Sequence, residues 1–139
     1  AAAGDTSSIS LLSLLDSEFA ADPHINEYAF LIPEALEGHL FLRPEPGKLA
    51  ISTTITRRLF LQARSALEAS TLMDRAHVER AASIDSATRA LLLVSGDSYS
   101  AWHARKRLVL ERERAGHLSF DALLESELAL TELVFTVRA

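Results

Sequence analysis

From Ile55 to Val134 the apolar residues recur at spacings of three and four, and only short polar or glycine-containing stretches interrupt them. That period matches one face of a helix, and it persists too long to suit anything but helices joined by tight turns. Ser52-Thr53-Thr54 supplies N-cap side chains for the first of these helices. Ile55, Leu59, Ala63, Ala66 and Leu67 line one face of it, with Arg57, Arg58, Arg64 and Glu68 elsewhere on the wheel. A second helix is predicted over about Asp74–Val94, carried by Val78, Ala81, Ala82, Ile84, Ala87, Ala90, Leu91 and Val94. Ser95-Gly96-Asp97 closes it, with Gly96 suited to a left-handed cap. A third runs from a cap at Ser98 or Ser100 to about Ala115 and stops at Gly116. Ser119 caps a fourth over Phe120 to about Val134, with Asp121 near its positive end.

The first 50 residues are less regular. Ile9, Leu12, Leu15 and Phe19, behind the capping-type residues Ser7 and Ser8, predict an amphipathic helix over Thr6–Ala21. Asp22-Pro23 ends it, because the residue before a proline is pushed out of the helical region. Beyond it Pro33, Pro44, Pro46, Gly38 and Gly47 punctuate two apolar pieces, Tyr28–Ile32 and His39–Leu42, which fit single helical turns or short extended segments. Five helices without strand-like alternation of any length predict an all-α fold, a helical-hairpin array or small bundle. The organisation expected is an amino-terminal helix and proline-rich loop over 1–50, then helical hairpins over 51–139.

Composition narrows the chemistry. With 139 residues, 48% of them hydrophobic, and only 5 Gly and 4 Pro, the chain is neither disordered nor fibrous. It has no Cys, which removes disulfides, thiolate zinc sites and cysteine nucleophiles. A net charge of −5 argues against a general nucleic-acid or anionic-membrane surface. That charge is unevenly placed: residues 1–47 hold 8 acidic side chains against one basic, a balance of −7, and residues 48–139 hold 13 basic against 11 acidic, a balance of +2. No basic residue precedes the apolar stretch Ile9–Leu15, as a secretory signal requires, and an apolar run such as Ala90–Val94 is five residues long. Spanning a bilayer takes about 20, so no membrane insertion is expected, and a cytoplasmic location follows as the expectation.

One stretch carries more specific information. In Asp97-Ser98-Tyr99-Ser100-Ala101-Trp102-His103-Ala104-Arg105-Lys106-Arg107-Leu108-Val109-Leu110, an aromatic residue is followed by W-x-x-R and then an apolar run. Trp102 is a large apolar plug for a two-helix interface, and Arg105, one turn on, has the reach to bond carbonyls or a carboxylate of the neighbouring hairpin. Tyr99, Trp102, Arg105 and Leu108–Leu110 resemble the first helix of a protein prenyltransferase alpha-subunit repeat. Leu124, Glu125, Glu127, Leu128, Leu130 and Thr131 resemble its second helix, so the repeat covers about 97–135. Leu91–Asp97 is similar to the end of a preceding repeat, with Gly96 in place of the usual proline. Asp22–Tyr28 through Leu31–Glu34 resembles the amino-terminal stretch of a divergent alpha-subunit-repeat-containing branch, whose members pair with a prenyltransferase beta subunit.

The resemblance implies a tetratricopeptide-like alpha-alpha superhelix in which Tyr99, Trp102 and Arg105 are architectural. Such arrays need about three or more units of about 34 residues, so a second W-x-x-R is due near residue 139, and none is present. The first residue is Ala1 rather than an initiator Met. Together these point to an incomplete solenoid, an amino-terminal fragment of a longer product. Family residues that approach the prenyl donor belong to later repeats, so no catalytic, cofactor or metal residue is assigned here.

Other chemistry finds little support. His24, His39, His77, His103 and His117 are scattered without H-x-x-x-H spacing, and no G-x-S-x-G elbow or phosphate-cradling glycine loop occurs. Glu111 with Glu113, and Glu125 with Glu127, stand two apart and so diverge around a helix. The cluster Arg105, Lys106, Arg107, Arg112 and Arg114 reads as a solvated basic face, partly balanced by Glu111 and Glu113. The function implied by the resemblance is that of a noncatalytic alpha-type subunit, forming a heterodimer with a catalytic beta subunit that transfers a farnesyl or geranylgeranyl group to a cysteine of a protein acceptor. Zinc and the isoprenoid diphosphate would lie on that partner, and none on this chain. The alternative is a generic helical-repeat interaction scaffold without transferase activity.

Overall fold

The computed structural model describes residues 9–74, 78–116 and 118–136. Among these the chain is mostly helical: α1 (Leu11–Ala21), α2 (Thr56–Thr71), α3 (Val78–Val94), α4 (Tyr99–Ala115) and α5 (Phe120–Thr136). Ser10 caps α1 by accepting the Ser13 N–H at 3.2 Å, and Asp22 ends it. The beginning of the expected Thr6–Ala21 helix, through residue 8, lies outside the described residues, as do residues 75–77 of the helix expected from Asp74. Ser98 and Ser119 cap α4 and α5 through Oγ. Gly116, at φ 75°, takes the left-handed cap that ends α4. Gly96 does not take that conformation; α3 closes instead with the Ser95 N–H donating to Leu91 O at 2.7 Å.

The all-α expectation is corrected by a small sheet. β1 (Glu27–Leu31), β2 (Phe41–Leu42) and β3 (Lys48–Ser52) pair in the order β1-β3-β2. β1 runs parallel to β3, from Glu27 opposite Lys48 to Leu31 opposite Ser52. β2 runs antiparallel, with Phe41 opposite Ile51. The reason that alternation did not announce β3 is physical: Leu49, Ala50, Ile51 and Ser52 are all buried, so both faces of the central strand are covered and no polar residue marks a solvent side. Gly47 turns the chain into β3 at φ 84°, and a Cβ there would lie 3.2 Å from Asn26 Nδ2.

The sheet shares its core with the helices. Tyr28, Phe41, Leu49 and Ile51 cluster with Leu11 and Leu15 of α1, Leu59 and Ala63 of α2, Leu91–Leu93 of α3 and Leu133–Val134 of α5. Burying these side chains is the main force that holds the two parts of the chain together. Polar bonds fix their register. Tyr28 Oη donates to Leu93 O at 2.7 Å inside the core. Gln62 of α2 accepts the Leu11 N–H at 2.8 Å and donates to Ile9 O at 3.0 Å. Asp16 of α1 accepts from both Ser86 and Arg89 of α3. The core therefore takes residues from both sides of residue 50.

Candidate functional site

The residues singled out from the sequence lie on α4, where helical spacing sends them in different directions. Arg105 points into the junction of α3, α4 and α5 and is 4% exposed. Its Nε and Nη2 donate to Glu127 Oε1 and Oε2 of α5 at 2.9 and 2.6 Å. Its Nη1 donates to Asp85 Oδ1 at 2.8 Å, to Asp85 O at 3.2 Å and to Thr88 Oγ1 at 2.9 Å, all on α3. Thr88 Oγ1 in turn donates to Ile84 O at 2.6 Å. The guanidinium thus binds a carboxylate in fork geometry on one side, and a second carboxylate, a carbonyl and a hydroxyl on the other.

The electrostatics follow from that geometry. Burial opposes the Arg105 charge, but the hydrogen bonds it donates to Glu127 and the charges of Asp85 and Glu127 outweigh it and raise the pKa above its ordinary value. Burial likewise pushes the Asp85 carboxyl up, yet the Arg105 charge and hydrogen bond, with Arg112 behind them, hold it below the usual carboxylate range. Arg112 Nη1 reaches Asp85 Oδ2 at 3.2 Å.

Trp102 is half-buried at the neighbouring corner. Its Nε1–H donates to Gly96 O at 2.8 Å, and its ring stacks on Phe135 with centroids 6.5 Å apart and planes 19° apart. It therefore joins the α3–α4 turn to the far end of α5. Tyr99 is not brought into this junction: it is 79% exposed and stacks on His103 at 5.8 Å.

The five cations expected to form one solvated face divide. Lys106, Arg107 and Arg114 are exposed, whereas Arg105 and Arg112 turn inward to Asp85. A turn of about 100° per residue separates neighbours in the run Arg105-Lys106-Arg107, which is why a sequence cluster does not become a spatial one. Asp85 and Thr88, the α3 half of the clamp, were missed in the sequence. Nothing in the sequence marks them out, because Ser86 and Arg89 stand among them as equally polar neighbours on the same helix.

Among the described residues no group of three or more His, Cys, Asp or Glu is placed to hold a metal ion. His24, His39 and His103 are exposed; His77 and His117 lie outside the described residues. A groove of about 300 Å³ opens between α2, α3 and α4, lined by Leu67, Ile84, Ala104 and Leu108 with Tyr99, His103 and Arg107. Arg80 and Glu111, paired at 2.8 Å, line it as well. Each guanidinium nitrogen of Arg105 donates to at least one protein acceptor, so the clamp ties three helices together. No protein-family profile, curated protein or solved structure matches the chain. Among the described residues, no helix is long and apolar enough to cross a membrane.

Proposed function

We propose that the chain is the noncatalytic alpha-type component of a protein prenyltransferase, a helical-hairpin scaffold for a catalytic beta subunit that transfers a farnesyl or geranylgeranyl group to a protein cysteine. The observation that carries the reading is the fate of the W-x-x-R pair. Arg105 is consumed inside the α3–α4–α5 junction and Trp102 packs, half-buried, at the corner beside it, which supports an architectural repeat motif rather than a ligand site. The α4–α5 hairpin over 99–136 also coincides with the repeat expected over about 97–135. On this reading α4–α5 is one unit of a superhelix, the protein works in the cytoplasm, and zinc and the isoprenoid diphosphate are held by the partner.

The test is co-expression of the complete gene product with prenyltransferase beta subunits. A stable heterodimer that transfers labelled prenyl groups to an acceptor cysteine, with neither subunit active alone, is the expected result. Absence of binding to any beta subunit refutes it.

A second reading, a helical interaction scaffold without transferase activity, draws on the open groove between α2, α3 and α4. It predicts partners that carry no prenylation motif and no transfer activity in any reconstituted pair.

A further inference from the structure

α5 buries one side against the core through Leu123, Leu130, Leu133 and Val134. A second apolar side is left uncovered. Phe120, Leu124, Leu128 and Phe135 are 43 to 53% exposed. At about 100° per residue they fall, with Thr131 among them, within an arc of about 80°. Their stripe runs the length of the helix, about 22 Å at 1.5 Å per residue. Isolated exposed apolar residues are ordinary, but a continuous row of this length marks a contact surface.

The border of the stripe identifies its partner. Asp121, Glu125 and Glu132 occupy the next arc of the wheel, all exposed, and none takes part in an ion pair among the described residues. On the opposite border Glu127 is already held by Arg105. α5 contains no Lys or Arg. A second copy of the chain is a poor occupant, since each copy carries a net charge of −5 and neither α5 offers a cation to the other's acidic row. An antiparallel pair would set the two rows side by side. An anionic lipid surface is disfavoured by the same row.

We propose that this face binds an amphipathic helix of a separate polypeptide whose apolar stripe is bordered by lysine or arginine. Binding buries Phe120, Leu124, Leu128 and Phe135 under the partner's apolar residues, and Asp121, Glu125 and Glu132 fix its register and exclude acidic helices. The inference stands independently of the prenyltransferase reading.

The test uses the whole chain and two synthetic helical peptides with the same apolar stripe, one bordered by Lys and Arg, the other by Glu, and both lacking Trp. Trp102 is the chain's single Trp and stacks on Phe135, so its fluorescence reports occupancy of that end of the stripe. Calorimetry provides a second, independent binding measurement. The basic peptide is expected to bind at least about tenfold more tightly than the acidic one, with the advantage shrinking as salt is raised. The surface double variant Glu125→Lys/Glu132→Lys, checked for an unchanged circular dichroism spectrum, is expected to reverse the preference, and Leu128→Ala to weaken both peptides. Equal affinity for the two peptides, no binding of either, or a dimer of the chain itself closed through α5 would overturn the proposal.

Discussion

Arg105 and Glu127 meet through two nearly parallel hydrogen bonds, Nε to Oε1 at 2.9 Å and Nη2 to Oε2 at 2.6 Å, in a place where the arginine side chain is 5% exposed. Their partner across the junction is Asp85, so one cation balances two carboxylates on two different helices.

Truncating the cation should therefore cost far more than losing a surface pair. Arg105→Ala leaves Glu127 without its ion-pair partner and Asp85 with Arg112 alone, and losing charge-assisted hydrogen bonds at these half-buried carboxylates costs about 1.5–3 kcal/mol. Arg105→Lys is expected to recover only part of that, because an ammonium cannot reproduce the fork on Glu127 while also reaching Asp85 and Thr88. Urea denaturation followed by circular dichroism measures both; a loss below about 1 kcal/mol for Arg105→Ala would show that the junction does not depend on the clamp.

Stability should fall with acid through Asp85. Its carboxyl titrates below the usual carboxylate range in the folded chain, so the unfolded chain binds the proton first. The contribution is complete above the unfolded value, about 4, and disappears as pH drops through the folded one. Denaturation midpoints measured from pH 7 to pH 2 should decline over that window, and Asp85→Asn should flatten the decline while lowering stability at neutral pH. A variant with an undiminished slope would exclude Asp85 as the source.

Trp102→Phe keeps most of the ring that stacks on Phe135 but removes the donor to Gly96 O. The expected loss is about 1 kcal/mol. Phe135→Ala leaves that hydrogen bond in place and should instead change the Trp102 emission, because it strips one face of the indole. Emission unaltered by Phe135→Ala would contradict the stacking.

The Tyr28 hydroxyl gives a test of whether sheet and helices unfold together. Tyr28→Phe leaves the Leu93 carbonyl without this donor inside the core, which costs about 1–3 kcal/mol. If β1 belongs to the same cooperative unit as α3, the whole far-ultraviolet transition shifts to lower temperature. A shift confined to a minor early phase would show that the strands open separately.

Helices α2 and α5 were legible in the sequence because each shows its burial mainly on one side. Leu59 and Ala63 of α2, and Leu123, Leu130 and Val134 of α5, keep the spacing that the core imposes, and Ser98, Ser119 and Gly116 bound their helices as their side chains or lack of one dictate. The sheet was not legible. β1 pairs with β3 across the intervening residues 32–47, and strand pairing is a relation between distant segments that neither displays alone. Gly96 misled as well: it does not take the left-handed conformation, and its carbonyl accepts the Trp102 indole N–H. At the clamp, Arg105 was visible as a candidate for bonding a neighbouring carboxylate, but its partners Asp85 and Glu127 stand 20 and 22 residues away and were not identifiable without the fold.

The three-helix clamp also decides how this part of the molecule can come apart. Stacked helical units that touch only their neighbours can fray one at a time from an end. Arg105 opposes that route here, because detaching α5 breaks both bonds to Glu127, and detaching α3 breaks those to Asp85 and Thr88. Either partial structure leaves a polar group buried or forces water into the junction. Helices α3, α4 and α5 are thereby bound into a single opening event, and amide protons on all three should exchange with solvent at one common, slow rate.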